Sequence, residues 1–161
     1  NTGCVRGGYP DTPQPFDDLL RKGERLCPVA ADDSHGVDDC FGGFVMIKAK
    51  KLEYKTVMEA LERGDCYASS GPLIEELYVE DGVMTLRCSP AKQVFFTTES
   101  RLMFRVNAKD EPVTNVAFNM SEFLEKSKSV WAKKEPYIRV TVVDEQGERA
   151  YTRAYFLDEL I

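Results

Sequence analysis

Leu77-Tyr78-Val79-Glu80-Asp81-Gly82-Val83-Met84-Thr85-Leu86-Arg87-Cys88 is the stretch on which the fold turns. Two apolar, β-prone runs meet across Asp81-Gly82. Asp-Gly in that setting is the strongest short-range hairpin signal, because the tightest two-residue turns need positive φ. Downstream, Val94-Phe95-Phe96-Thr97-Thr98, Leu102-Met103-Phe104-Arg105-Val106 and Val116-Ala117-Phe118 follow at short spacing. Tyr137-Ile138-Arg139-Val140-Thr141-Val142-Val143 alternates, with 144–147 as its turn and 150–155 as the return strand. Short strands separated by turn residues predict an antiparallel β-sandwich. Residues 121–131 fit either a short helix or a crossover loop.

Upstream of Pro72 the rhythm differs. Phe44-Val45-Met46-Ile47 is continuously apolar, which predicts a strand covered on both faces. Residues 54–63 predict a helix with Val57, Met58, Ala60 and Leu61 on its inner side and Gly64 as its stop. Cys66-Tyr67-Ala68 predicts a further strand, ended by Ser69-Ser70-Gly71-Pro72. Strand, helix, strand in this order suggests part of an α/β layer. Further back, Phe16-Asp17-Asp18-Leu19-Leu20-Arg21-Lys22-Gly23 predicts a short amphipathic helix. Leu26-Cys27-Pro28-Val29-Ala30 predicts a buried strand, and the Gly-rich residues 1–8 a loop. The sequence thus divides near residues 70–73 into units 1–72 and 73–161.

The chain has 161 residues and a net charge of −6, which argues against a general nucleic-acid or anionic-membrane surface. Basic runs at 48–51 and 126–134 are interleaved with apolar or acidic residues and read as solvated faces. No apolar run approaches a membrane span. The first residue is Asn and no charged-then-apolar leader follows, so we expect a processed product or an excised domain. Five cysteines form no Cys-x-x-Cys pair and their count is odd; Cys66 and Cys88 sit inside apolar, strand-like runs, and a reducing cytoplasm fits better than secretion.

The chemistry gathers in Ala31-Asp32-Asp33-Ser34-His35-Gly36, which holds the only histidine. If the extended backbone of 26–30 persists, Asp33 and His35 share one face and Ser34 points away. A carboxylate with a neutral imidazole suits a divalent cation such as Zn, Mn or Fe. The plainer alternative is a polar loop in which an aspartate caps a turn. Asp32, out of phase, should make a backbone or capping hydrogen bond. Asp38 and Asp39 are further acids nearby. Cys27, His35 and Cys40 could in principle meet at a structural zinc, although their spacing matches no compact knuckle. Arg21, Arg25 and Lys48 are candidate phosphate contacts or simply surface charges. Ser69-Ser70-Gly71 could offer backbone donors to an anion or be a plain turn.

Asn1-Thr2-Gly3-Cys4, Phe16-Asp17-Asp18-Leu19-Leu20-x-x-Gly23, Ala31-Asp32-Asp33-Ser34-His35, Gly42-Gly43-Phe44-Val45-Met46, Ala60-Leu61-x-x-Gly64 and Tyr67-Ala68-Ser69-Ser70-Gly71-Pro72 occur in that order. As an ordered set over about residues 1–90 they resemble the C-terminal part of a PHP (polymerase and histidinol phosphatase) domain protein. The resemblance implies an α+β chain: the C-terminal segment of a distorted (β/α)7 barrel over 1–72, then an antiparallel, immunoglobulin-like β-sandwich over 73–161. It implies metal-dependent phosphoester hydrolysis, with Asp33 and His35 matching a late Asp-x-His pair of metal ligands. The family's other histidines have no counterpart here, so the expectation is a catalytically incomplete piece of a phosphoesterase. The competing expectation is a non-catalytic β-sandwich module for binding or homo-oligomerisation, carrying a relic metal loop.

Overall fold

The computed structural model describes residues 1–100, 102–121, 125 and 136–160. The expected hairpin is there: β3 (Ile74–Glu80) returns as β4 (Val83–Ala91), with Asp81 at φ 49° and Gly82 at φ 76°. Positive φ at both central residues is what a type I′ turn demands. β7 (Val113–Asn119) pairs with β4 to complete a three-stranded sheet.

The second sheet runs β1 (Phe44–Ile47), β2 (Cys66–Ser69), β9 (Arg149–Thr152), β8 (Tyr137–Val143), β5 (Gln93–Thr98), β6 (Met103–Asn107), with the two-residue β10 (Tyr155–Phe156) also on β8. Every pairing is antiparallel. Between the sheets lies one core, in which Met84, Leu86, Val116 and Phe118 meet Val94, Phe96, Val140 and Val142. Phe118 stacks on Phe96 with ring centroids 4.8 Å apart. The architecture is α+β, a predominantly antiparallel β-sandwich with few helices.

Strands from both sides of Pro72 share this sheet: Tyr67, Ala68 and Ser69 of β2 pair with Thr152, Tyr151 and Ala150 of β9. That corrects the expected separation into independent 1–72 and 73–161 units. The cause is that β2, flanked by Gly64 and Gly71-Pro72, offers a free edge to the C-terminal hairpin. The strand–helix–strand of 44–69 also closes as an antiparallel pair, Phe44 opposite Ser69 and Ile47 opposite Cys66, instead of a parallel layer. β1 ends the sheet, and Met46 is exposed there, so it is an edge strand and not one covered on both faces.

All seven residues of β8 are buried, although its sequence alternates. Ile138, Val140 and Val142 face the sandwich core. On the other face α2 (Gln14–Leu20) packs Phe16 and Leu20 against Tyr137, Ala154 and Phe156. Within that contact Asp17 and Arg139 form a buried bidentate ion pair, Nε–Oδ1 2.7 Å and Nη2–Oδ2 2.8 Å. Arg139 also donates to Thr141 Oγ1 at 2.8 Å.

The helix expected at 54–63 is α3 (Tyr54–Arg63), ended by Gly64 at φ 73°. Two expectations upstream fail. Residues 26–30 form no strand, because Pro28 removes a ladder donor and Leu26 and Val29 are exposed. Residues 2–6 form a short helix, α1 (Thr2–Arg6), since the Asn1 side chain caps it by accepting from the Cys4 N–H at 2.9 Å. The segment 121–131 lies almost wholly outside the described residues.

Candidate functional site

The loop 31–43 is held by Asp32. One carboxylate oxygen accepts the Gly43 N–H and the Thr2 hydroxyl, the latter at 3.1 Å, and the other accepts the Phe41 N–H at 2.7 Å. These bonds, the Gly43 N–H foremost, hold the Asp32 carboxyl below its usual range. Two backbone bonds from α1 add to the clasp, Thr2 N–H to Ala31 O at 2.9 Å and Gly3 N–H to Asp32 O at 3.0 Å. A Cβ on Gly3 would lie 2.7 Å from Asp32 O, so only glycine fits this approach. Asp32 thus makes the backbone contacts expected of it.

Asp33 follows in the left-handed region at φ 58°, which aspartate tolerates better than most residues. The chain turns there, so the alternation expected to align the Asp33 and His35 side chains does not reach His35. Another device relates the two residues. His35 Nδ1 lies 2.9 Å from the Asp33 backbone carbonyl oxygen. A carbonyl only accepts, so in the neutral form of the ring this contact puts the proton on Nδ1 and leaves the lone pair on Nε2. Both residues are exposed, and the Asp33 carboxylate has the Cys4 thiol 3.9 Å away.

Asp39 fixes the far side of the turn. Its Oδ2 accepts from the His35 N–H at 3.0 Å and the Gly36 N–H at 2.9 Å, and these bonds lower its pKa. A 3₁₀ turn, Val37–Asp39, places it there. The expectation of acids near His35 therefore identified the right residue, but not its task of holding backbone.

The remaining candidates separate. The Cys27 thiol sits against Cys66 of β2, 2.8 Å between sulfurs, while Cys40 Sγ lies 3.6 Å from Gly36 O. The three-residue zinc grouping with His35 is not assembled. Among the described residues no three His, Cys, Asp or Glu side chains converge to hold a metal ion. Arg21 binds Asp18 at 3.0 Å and Glu99 O at 3.1 Å. Arg25 pairs with Asp158 and Glu159 and lies over the Phe156 ring. Ser69 Oγ and the Gly71 N–H are used within their own turn, and the Ser70 N–H donates to Arg149 O. These groups hold the fold together; Lys48 is exposed.

Beside the loop a cavity of about 490 Å³ is lined by Thr2, Arg6, Phe41, Gly42, Arg149 and Tyr151, among others. Tyr151 Oη donates to Asp11 Oδ2 at 2.7 Å and accepts from Arg149 Nη1 at 3.2 Å. Asp33 and His35 are not among the residues lining it. The parts of Thr2 and Asn1 in the clasp escaped the sequence reading; an Asn at an N-cap position was the available signal.

Comparison of the chain with family models, with curated proteins and with solved structures gives no match.

Proposed function

We propose that this chain is the C-terminal portion of a PHP-type, metal-dependent phosphoesterase and that Asp33 and His35 are two of its ligands for a divalent metal. One observation carries the reading: the Nδ1-protonated ring, pinned to the Asp33 carbonyl, keeps Nε2 free at an exposed position. A ligating histidine is commonly held in this way, its other nitrogen donating to a backbone carbonyl that fixes tautomer and ring plane. The donor types, imidazole nitrogen and carboxylate oxygen, suit Zn, Mn or Fe. Two ligands are fewer than a catalytic centre uses, so further ligands come from outside the described residues.

A metal held there would lower the pKa of a bound water to about 7, the chemistry that phosphoester hydrolysis needs. This chain's own residues do three things. Asp33 and His35 would hold the cation, the Nδ1 bond orients the His35 ring, and Asp32 with Asp39 keeps both on one fixed turn. The free thiols suit a cytoplasmic setting.

A second reading is a β-sandwich binding or self-association module with a relic metal loop. It is favoured by the single sheet that joins both halves of the chain. Calorimetric titration with Zn²⁺ or Mn²⁺ separates the two. The ligand reading expects one weak site, lost in both Asp33→Ala and His35→Ala, and no turnover of p-nitrophenyl phosphate by the chain alone. Binding untouched by both substitutions would leave only the module.

A further inference from the structure

Cys27 and Cys66 are 39 residues apart in sequence, yet their sulfurs lie 2.8 Å apart. Non-bonded heavy atoms settle at about 3.5–4.0 Å, so this is closer than packing alone would place them. Cys66 opens β2 and is buried, whereas Cys27 is only half-buried, in the irregular stretch that leads into the Asp32–Asp39 turn. The Cys27 sulfur also points at the Cys66 carbonyl, 3.7 Å away, so the stretch meets the sheet at this contact.

We propose that Cys27 and Cys66 are a thiol pair that a small disulfide, such as glutathione disulfide, converts to an intramolecular disulfide, tying the loop-bearing segment to β2. Neither the phosphoesterase reading nor the module reading assigns these thiols a part. The exchange balances in two steps. The Cys27 thiolate attacks one sulfur of glutathione disulfide; a protein–glutathione disulfide forms and one glutathione thiolate leaves. The Cys66 sulfur then attacks Cys27 Sγ, the second glutathione leaves, and the two thiol protons end on the two glutathiones. Two protein thiols are oxidised and one small disulfide is reduced.

Cys27 is the entry point because it is the reachable member of the pair. Burial pushes its thiol up to about 12, with the Cys66 neighbour adding to the effect and Arg153 opposing it. The thiolate fraction at neutral pH is therefore small, and the rate of closure should rise with pH. The tether would close a loop that contains the Asp33–His35 turn, β1 and α3.

The experiment takes the full chain, treats it with glutathione disulfide at pH 8.5, caps remaining thiols with an alkylating agent and maps peptides by mass spectrometry. The expected product is a Cys27–Cys66 cross-linked peptide, reversed by dithiothreitol, with a raised thermal midpoint. In Cys27→Ser no internal cross-link forms. Mixed glutathione adducts at Cys27 that never resolve, or a cross-link from Cys27 to Cys4 or Cys40 instead, would overturn the proposal. So would full alkylation of Cys27 and Cys66 after prolonged oxidation, which would make the contact a plain thiol hydrogen bond.

Discussion

Asp17→Asn is the sharpest perturbation of the packing that docks α2 on β8. Asp17 sits on α2 and meets Arg139 through two hydrogen bonds of 2.7 and 2.8 Å; the Arg139 and Asp17 side chains are 4% and 10% exposed. The asparagine keeps the shape but removes the charge, leaving a guanidinium buried without its counter-ion. Breaking a buried pair in this way costs about 3–5 kcal/mol, against about 0–1 kcal/mol for a surface pair. For a chain of this length each kcal/mol moves the thermal midpoint by about 2–4 °C, so a drop of roughly 6–20 °C is expected. Urea denaturation followed by circular dichroism reads the free energy directly. The double variant Asp17→Leu with Arg139→Met, which takes both charges away, should recover most of the loss. A cost below about 1 kcal/mol for Asp17→Asn would mean that the pair is solvated and α2 does not dock on β8.

Three other outcomes follow from the same face and from the loop. Tyr137 Oη is buried and has no hydrogen-bond partner among the described residues, so Tyr137→Phe should raise stability by about 1–3 kcal/mol in urea melts. Burial pushes the Glu99 carboxyl above its ordinary value of 4.5, so its penalty is absent below that pH and grows as pH rises through the folded pKa. Glu99→Gln should accordingly be more stable than the parent at pH 7, with the gap closing on acidification below 4.5; a gap that widens there would contradict the burial argument. For Asp32 the sign is opposite: its lowered pKa means support that is present above pH 3.8 and lost as pH falls through the folded value. Asp32→Asn should speed amide hydrogen exchange at Phe41 and Gly43, and unchanged rates there would show that the clasp is not what holds the turn.

Much of the fold was legible because local rules and tertiary context agree. The Asp81-Gly82 hairpin, α3 with its Gly64 stop and β8 needed only turn chemistry and periodicity. The partnership of β2 with β9 was not legible, since residues 70–148 separate them and nothing in a strand's pattern names its neighbour. The burial of both faces of β8 depends on α2 arriving from the far end of the chain, and an alternating sequence with Arg139 and Thr141 on one face reads as half-solvated. In the loop, the task of Asp32 was readable, since an aspartate out of phase in a polar turn is expected to bond backbone. The backbone that relates Asp33 to His35 was not, because a single left-handed residue leaves no periodic trace. The Cys27–Cys66 contact likewise follows from the return of an irregular segment onto β2.

Under the proposed function His35 is held with Nδ1 protonated and Nε2 open, ready to bind a cation together with Asp33. Because the chain has one histidine, its two ring nitrogens give unambiguous signals in a long-range ¹H–¹⁵N NMR correlation. At a pH where the ring is neutral, the expected result is the Nδ1–H tautomer, a Zn²⁺-induced shift at Nε2, and loss of that shift in Asp33→Ala. An Nε2–H tautomer, or a zinc response that persists unchanged without the Asp33 carboxylate, would contradict it.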